Sequence, residues 1–130
     1  MAKYALGVLL IVHGIAHLVG FLVPWRIGHL EGAVYRTTLL GGAIDIGDSG
    51  ARIVGLLWLG TAVLVAAAGV AVLAAYGSWR ALTTTALIVS LVLSVLGWPD
   101  SRIGVAVNVA LLAWLGLASA LNWTIVPAPR

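Results

Sequence analysis

Cysteine is absent from this 130-residue sequence, and charged residues make up only 8% of it. The lack of cysteine excludes disulfides, thiolate metal sites and cysteine nucleophiles. A soluble domain carries roughly a quarter charged residues because its surface faces water, so the shortage predicts a surface that faces something else. The formal net charge of +3 comes from scattered residues without a basic run, which argues against a nucleic-acid partner.

Hydrophobic residues make up 62% of the sequence, and many of them lie in long apolar stretches. A membrane-spanning helix needs about 20 mostly apolar residues, and four stretches approach that length: residues 4–23, 53–75, 81–96 and 103–121. The first is too long for a signal-peptide core and lacks a small-residue cleavage site, so we interpret it as a retained helix. The sequence predicts an all-α membrane protein, with residues 1–130 forming one antiparallel bundle of four transmembrane helices.

The distribution of basic residues gives only a weak indication of the orientation in the membrane. Three basic residues fall on the side of the two termini and four on the opposite side, so the positive-inside rule discriminates little. We predict a multi-pass protein of the cell membrane with both termini in the cytoplasm.

The connection between the first two predicted helices, residues 26–52, is too long to lack structure in so small a protein. Residues 33–46 are rich in Thr, Tyr and branched aliphatic residues around Gly41-Gly42, a pattern that favours a β-hairpin with a Gly-Gly turn. A short amphipathic helix on the membrane surface is the alternative. Asp48-Ser49 is expected to cap the second helix, with Asp45 nearby.

Two histidines, His13 and His17, lie inside the first predicted helix. Their spacing places both imidazoles on one face, close enough to share a ligand. Ionisable side chains inside a membrane span are rare, and they indicate a functional site by default. The alternative is that each imidazole hydrogen-bonds a neighbouring helix and orders the bundle.

Polar residues on the other helices match the histidines in depth. At a rise of about 1.5 Å per residue, His17, Ser94 and Asn108 fall in the half of the bundle next to the long connection. This agreement predicts one ligand-binding site formed by His13, His17, Ser90, Ser94 and Asn108. For the serines, the competing interpretation is that small hydroxyl residues merely permit close helix packing.

The same histidines do not predict a metal centre. A closed zinc site needs about four ligands and a catalytic one about three, and a third ligand would require His29 or Asp45 to fold inward. A haem held between two histidines needs them on opposite helices, whereas these share one. The sequence also lacks a phosphate-binding loop, a Ser-His-Asp order and a zinc-protease motif, so it indicates no particular enzyme chemistry.

Three segments of the sequence carry a resemblance to a known family: residues 13–21 (HGIAHLVGF), 55–59 (GLLWL) and 97–102 (GWPDSR). With four short spans, a long first connection and histidine in the first helix, they resemble small bacterial four-helix membrane proteins of the DoxX-like type. The resemblance covers the whole chain in layout. Some such proteins are linked to quinone-coupled redox chemistry, so the resemblance implies a quinone or lipid ligand and assigns no role to any single residue.

These observations predict a membrane protein that binds a small apolar ligand, a quinone or a lipid, in an intramembrane polar site. Histidine suits this task because its charge state changes near neutral pH. One alternative is an interaction or assembly subunit that docks another membrane protein or a second copy through the small-residue face of Ala62, Ala66 and Gly69. Another is a small transporter that acts as a dimer.

Overall fold

The computed structural model describes residues 1–28 and 30–127. Within those ranges the helices are α1 (Ala2–Ala16), α2 (Leu18–Leu22), α3 (Gly47–Leu73), α4 (Trp79–Leu96) and α5 (Arg102–Ala120). Two short strands, β1 (Thr38–Leu39) and β2 (Ile44–Asp45), flank a 3-10 turn at Leu40–Gly42. The fold is therefore mainly helical, with a small sheet between α2 and α3.

Among the described residues, four helical segments are long and apolar enough to cross a membrane: Ala2–Leu22, which joins α1 and α2, Gly47–Leu73, Trp79–Leu96 and Arg102–Ala120. The predicted number of such helices is confirmed. One boundary was wrong, because α3 begins at Gly47 and not at residue 53. Its first turns carry the exposed side chains of Asp48 and Arg52, and apolarity marks the part of a helix that suits hydrocarbon rather than its hydrogen-bonded end.

Helices α1 and α3 pack with their backbones in close contact. A Cβ atom placed on Gly14 would lie 2.8 Å from the Ala62 carbonyl oxygen, and one on Gly69 would lie 2.7 Å from the Gly7 carbonyl oxygen. Only glycine permits such an approach, as in other closely packed helix pairs. The small-residue face of α3, which the sequence offers as a docking surface for a partner protein, is therefore covered by α1 of the same chain.

The remaining helices pack in chain order, α3 against α4 and α4 against α5. Their shared core is apolar, and its fully buried aliphatic side chains are Leu10, Val65, Val72 and Leu87. Large apolar side chains also cover the outside of the helices; Val12, Ile53, Val63 and Ile103 are all more than half exposed. An outer surface of this kind suits hydrocarbon rather than water.

The first loop, residues 23–46, contains the predicted β-hairpin. Its strands pair antiparallel, with Thr38 opposite Asp45 and Leu39 opposite Ile44. Next to these pairs the Ala43 amide donates to the Leu40 carbonyl oxygen over 3.3 Å, so residues 40–43 form the turn around Gly41-Gly42. Leu40, Gly41 and Gly42 all have positive φ angles, and glycine meets that requirement without a steric penalty.

The junction between the hairpin and α3 differs from the predicted cap. The Gly47 amide donates to Asp45 Oδ1 over 3.0 Å, whereas Asp48 accepts a hydrogen bond from the Tyr35 hydroxyl. The Gly47 amide, with the Thr37 hydroxyl, lowers the pKa of Asp45, and the Asp48 carboxylate raises the pKa of Tyr35. Asp45 rather than Asp48-Ser49 thus satisfies the first amide of α3.

The first loop is held against the connection between α4 and α5. The Gly41 amide donates to the Trp98 carbonyl oxygen over 2.7 Å. Arg36 Nε donates to Asp100 Oδ2, also over 2.7 Å. Both contacts join segments far apart in sequence, and they fix the hairpin over one end of the helices.

Candidate functional site: a polar cluster beneath the first loop

All five residues predicted for the site are buried. The exposed fraction is 8% for His13, 4% for His17 and 0% for Ser90, Ser94 and Asn108. They come from α1, the α1–α2 junction, α4 and α5, so the fold brings three separate segments of the chain together. Their role in ligand binding stays a prediction, whereas their burial is a property of the fold.

His17 lies at the junction of α1 and α2, where the helix tightens locally. Its backbone amide donates to the Gly14 carbonyl oxygen over 3.1 Å. Its side-chain Nδ1 lies 2.8 Å from the His13 carbonyl oxygen. The imidazole is therefore anchored to its own helix through Nδ1, and Nε2 is directed at α4.

Four of the side chains form what we call the polar cluster: His13, His17, Ser90 and Asn108. Ser90 Oγ lies 2.6 Å from His17 Nε2 and accepts from Asn108 Nδ2 over 2.7 Å. His13 Nε2 lies 3.1 Å from Asn108 Oδ1. The cluster links α1, α4 and α5 through side chains alone.

Trp58 adds the fourth helix to this arrangement. Its ring centroid on α3 lies 5.2 Å from that of His17. A Cβ atom on Gly20, one turn beyond His17, would lie 2.4 Å from the Trp58 ring. The glycine therefore gives the indole its space beside the imidazole.

Ser94 differs from the four cluster residues. It lies one turn beyond Ser90 on α4 and is fully buried, yet its hydroxyl has no hydrogen-bond partner among the described residues. A Cβ atom on Gly104 of α5 would lie 2.8 Å from Ser94 Oγ. An unpaired buried hydroxyl costs free energy in an apolar medium, so Ser94 needs either a partner or another explanation.

Ser94 lines a cavity of about 890 Å³ beneath the first loop. The first loop, the α4–α5 connection and all the long helical segments contribute to its surface. Its helical lining includes His13, Ala16, His17, Val19, Gly20, Ala51, Val54, Trp58, Ser94, Ile103, Gly104 and Val107. Pockets for small organic ligands measure about 300–1,000 Å³ and combine apolar surface with a few polar groups, and this cavity has both properties.

Sequence reasoning missed three features of this site. Trp58 was not among the predicted site residues, and the early start of α3 places it well inside the helix. Gly104 carries no polar signal, although its spacing of four from Asn108 puts both on one face. The Arg36–Asp100 pair joins two connections, and a single sequence does not show which connections touch.

The described residues, 1–28 and 30–127, include no group of three His, Asp or Glu side chains able to hold a metal ion. His29, one of the two candidates for a third ligand, lies outside the described residues. The rings of His13 and His17 lie edge to face with centroids 4.6 Å apart on one continuous helical segment. Their Nε2 atoms are occupied by protein partners: that of His13 lies 3.1 Å from Asn108 Oδ1 and 3.4 Å from Ser90 Oγ, and that of His17 lies 2.6 Å from Ser90 Oγ.

Comparisons with protein-family models, curated proteins and solved structures found no match to this chain. The resemblance to DoxX-like proteins therefore stays a prediction from the sequence. A function for this chain is inferred from the geometry of the cavity and the polar cluster.

Proposed function

We propose that this chain is a multi-pass membrane protein that binds a small apolar ligand, a quinone or a lipid, in the cavity beneath the first loop. The four apolar helices form an antiparallel bundle across the bilayer, and the ligand head lies beside Ser94 and the polar cluster. The observation that carries the proposal is that Ser94, whose buried hydroxyl has no hydrogen-bond partner among the described residues, is one of the residues lining an 890 Å³ cavity.

The polar cluster and the cavity have separate tasks in this proposal. The hydrogen bonds within the cluster fix the helices around the site, so it presents a rigid surface to the ligand. Ser94 has its hydroxyl left for the ligand head. A rigid polar surface lowers the entropic cost of binding, because little has to be ordered when the ligand arrives.

Access to the cavity runs between helices. Ala16 and Val19 of the first helical segment and Ile103 of α5 line the cavity and are exposed, so we place the opening of the cavity between these two helical segments. In a bilayer this opening faces lipid, which would let an apolar ligand enter sideways. The hairpin, held by Arg36 and Asp100, covers the end that faces water.

Filling the cavity is the direct test. Ala16→Phe adds a ring at an exposed position of the cavity lining without touching the polar cluster. Val12→Phe is the matched control, since Val12 is exposed one turn earlier on α1 and does not line the cavity. We expect Ala16→Phe to weaken binding of a short-chain alkyl hydroquinone at least tenfold in a detergent titration, and Val12→Phe to leave it unchanged. Equal binding by both variants and the parent chain would reject the site.

The orientation is part of the same proposal, with both ends of the described chain on the cytoplasmic side. The absence of native cysteine makes single-cysteine labelling clean. In intact cells a membrane-impermeant maleimide should label Glu31→Cys in the first loop, and it should label Ser78→Cys in the α3–α4 turn only after permeabilisation. The reverse pattern would invert the orientation, and labelling of both from outside would contradict the four-span topology.

A further inference from the structure

The hydrogen atoms of the polar cluster can be assigned from its geometry, beginning at His17. Its Nδ1 lies 2.8 Å from the His13 carbonyl oxygen, and a carbonyl oxygen can only accept. Nδ1 therefore carries the proton of neutral His17, and Nε2 is a lone-pair acceptor. The Ser90 hydroxyl, 2.6 Å from that Nε2, must donate its single proton there.

Ser90 Oγ is then left to accept, and the Asn108 amide nitrogen donates to it over 2.7 Å. This orientation directs Asn108 Oδ1 at His13 Nε2, 3.1 Å away, so His13 donates from Nε2. The opposite amide orientation would place Oδ1 against Ser90, whose only proton is already given to His17. Only one assignment of the hydrogen atoms therefore satisfies all these contacts. In it the two histidines are opposite tautomers, with the proton on Nδ1 of His17 and on Nε2 of His13.

The assignment leaves His13 Nδ1 as a lone-pair acceptor. None of the hydrogen bonds of His13 within the described residues uses that atom; they all use Nε2 or the backbone carbonyl. His13 and Ser94 both line the cavity. The atoms of these two lining side chains that have no partner are one nitrogen that can only accept and one hydroxyl that can donate or accept.

We infer that the cavity selects a ligand with a hydroxyl group on an apolar body over a ligand whose head has only carbonyl or ether oxygens. This inference rests on the proposed function and narrows its ligand class. A hydroxyl can donate to His13 Nδ1, whereas a carbonyl head can only accept, from Ser94, and leaves His13 Nδ1 without a donor. A buried site built around a hydrogen bond discriminates strongly against an analogue that lacks it.

Two sources supply such a head: an aromatic hydroquinone and a hydroxylated lipid. Two matched pairs of probes distinguish them. The first is a short-chain alkyl hydroquinone, kept reduced under anaerobic conditions, against its benzoquinone; the second is a short-chain diacylglycerol against its acetylated triester. Binding is measured by titration of the purified chain in detergent.

We expect the hydroxyl member of at least one pair to bind at least about tenfold more tightly than its partner. The pair that shows the difference identifies the source of the ligand. If neither pair shows tighter binding of its hydroxyl member while at least one probe binds, this inference is overturned and the proposed function stands. No binding by any of the four probes would overturn both.

Nuclear magnetic resonance of the chain labelled with ¹⁵N-histidine tests the assignment without any ligand. Long-range proton–nitrogen couplings identify which ring nitrogen carries the proton. His13 should be protonated at Nε2 and His17 at Nδ1, with Ser90→Ala used to assign the signals because it removes the partner of His17 Nε2. The same tautomer at both histidines, or protonation of His13 at Nδ1, would overturn the inference whatever the titrations show.

Discussion

Helix α1 has two faces that are built on opposite principles. Toward α3 it presents Gly7 and Gly14, and the helix backbones touch with no space for a side chain. Toward α4 and α5 it presents His13 and His17, and the helices are joined by hydrogen bonds around a cavity. The glycine face, toward α3, holds the helix by dispersion contacts and leaves no space there for a ligand.

The contrast between the two faces shows which part of the molecule is free to bind. Close backbone packing leaves no unpaired polar group and no volume, so the α1–α3 interface has only a structural role. The polar face needs space between the helices for its side chains. Next to the polar cluster this space widens into the cavity. The two faces can be tested separately because they use different residues of one helix.

The largest effect is expected on the glycine face. Gly14→Ala places a methyl group 2.8 Å from the Ala62 carbonyl oxygen and 2.9 Å from the Ala66 amide nitrogen. These are backbone atoms that cannot rotate away, so the helices must separate, and we expect a loss of about 3 kcal/mol in stability. Apparent melting temperature in detergent, read from the surviving monodisperse fraction, is the measurement.

Gly116→Ala on α5 is the matched control, because a Cβ atom there meets nothing within 4 Å. Alanine has the higher helix propensity, so this variant should be unchanged or stabilised by up to about 1 kcal/mol. Equal melting temperatures for the Gly14 and Gly116 variants would show that the α1–α3 contact is looser than described.

A smaller loss of stability is expected for a substitution in the polar cluster. Ser90→Ala removes the partner of both His17 Nε2 and the Asn108 amide. Leaving two buried groups unpaired should cost about 1–2 kcal/mol, since hydrogen bonds between helices in membranes are individually modest. The same thermal assay measures it, with the parent chain and the Gly14 variant in parallel. A Ser90 variant as stable as the parent would mean that the cluster does not hold the helices.

The smallest effect concerns the junction of the hairpin with α3, outside both faces. The pKa of Asp45 is lowered mainly by the Gly47 amide, so its carboxylate favours the folded junction at neutral pH. That contribution is lost as the pH falls through the lowered pKa in the folded state. The Gly47 amide resonance should shift with this titration below the usual aspartate range. In Asp45→Asn the shift should vanish; its persistence would assign the titration to another acid.

Much of the fold could be predicted from composition, because hydrocarbon imposes a simple rule on helix length. The apolar stretches predicted four helices, and the residues around Gly41-Gly42 predicted the hairpin. The start of α3 was misjudged since a helix continues into water beyond its apolar part. The predicted Asp48-Ser49 cap was wrong because the helix begins before these residues, at Gly47. The amide of Gly47 is bonded instead by Asp45 on the adjoining strand.

The candidate site was predicted in part, through depth and spacing. Two histidines four residues apart, with Ser90, Ser94 and Asn108 at similar depth, indicated that they could meet. Spacing could not separate Ser90, which is bonded on two sides, from Ser94, which has no partner among the described residues. That distinction depends on how α4 is rotated against α1 and α5, and rotation is set by packing contacts from the whole bundle.

Two buried hydroxyls on α4 allow the binding site to be tested with a control on the same helix. Ser94 and Thr83 are both fully buried and both lack a hydrogen-bond partner within residues 1–28 and 30–127. Of these two, Ser94 lines the cavity and Thr83 does not. The measurement is the affinity of Ser94→Ala and Thr83→Val for a short-chain alkyl hydroquinone, alongside their melting temperatures.

Neither substitution removes a hydrogen bond between described residues, so both variants should melt within a few degrees of the parent chain. Ser94→Ala should bind the probe about tenfold more weakly, which corresponds to one lost hydrogen bond of about 1.4 kcal/mol. Thr83→Val should bind it as the parent does. Unchanged affinity in a folded Ser94→Ala variant, or an equal loss in both variants, would contradict a ligand head beside Ser94.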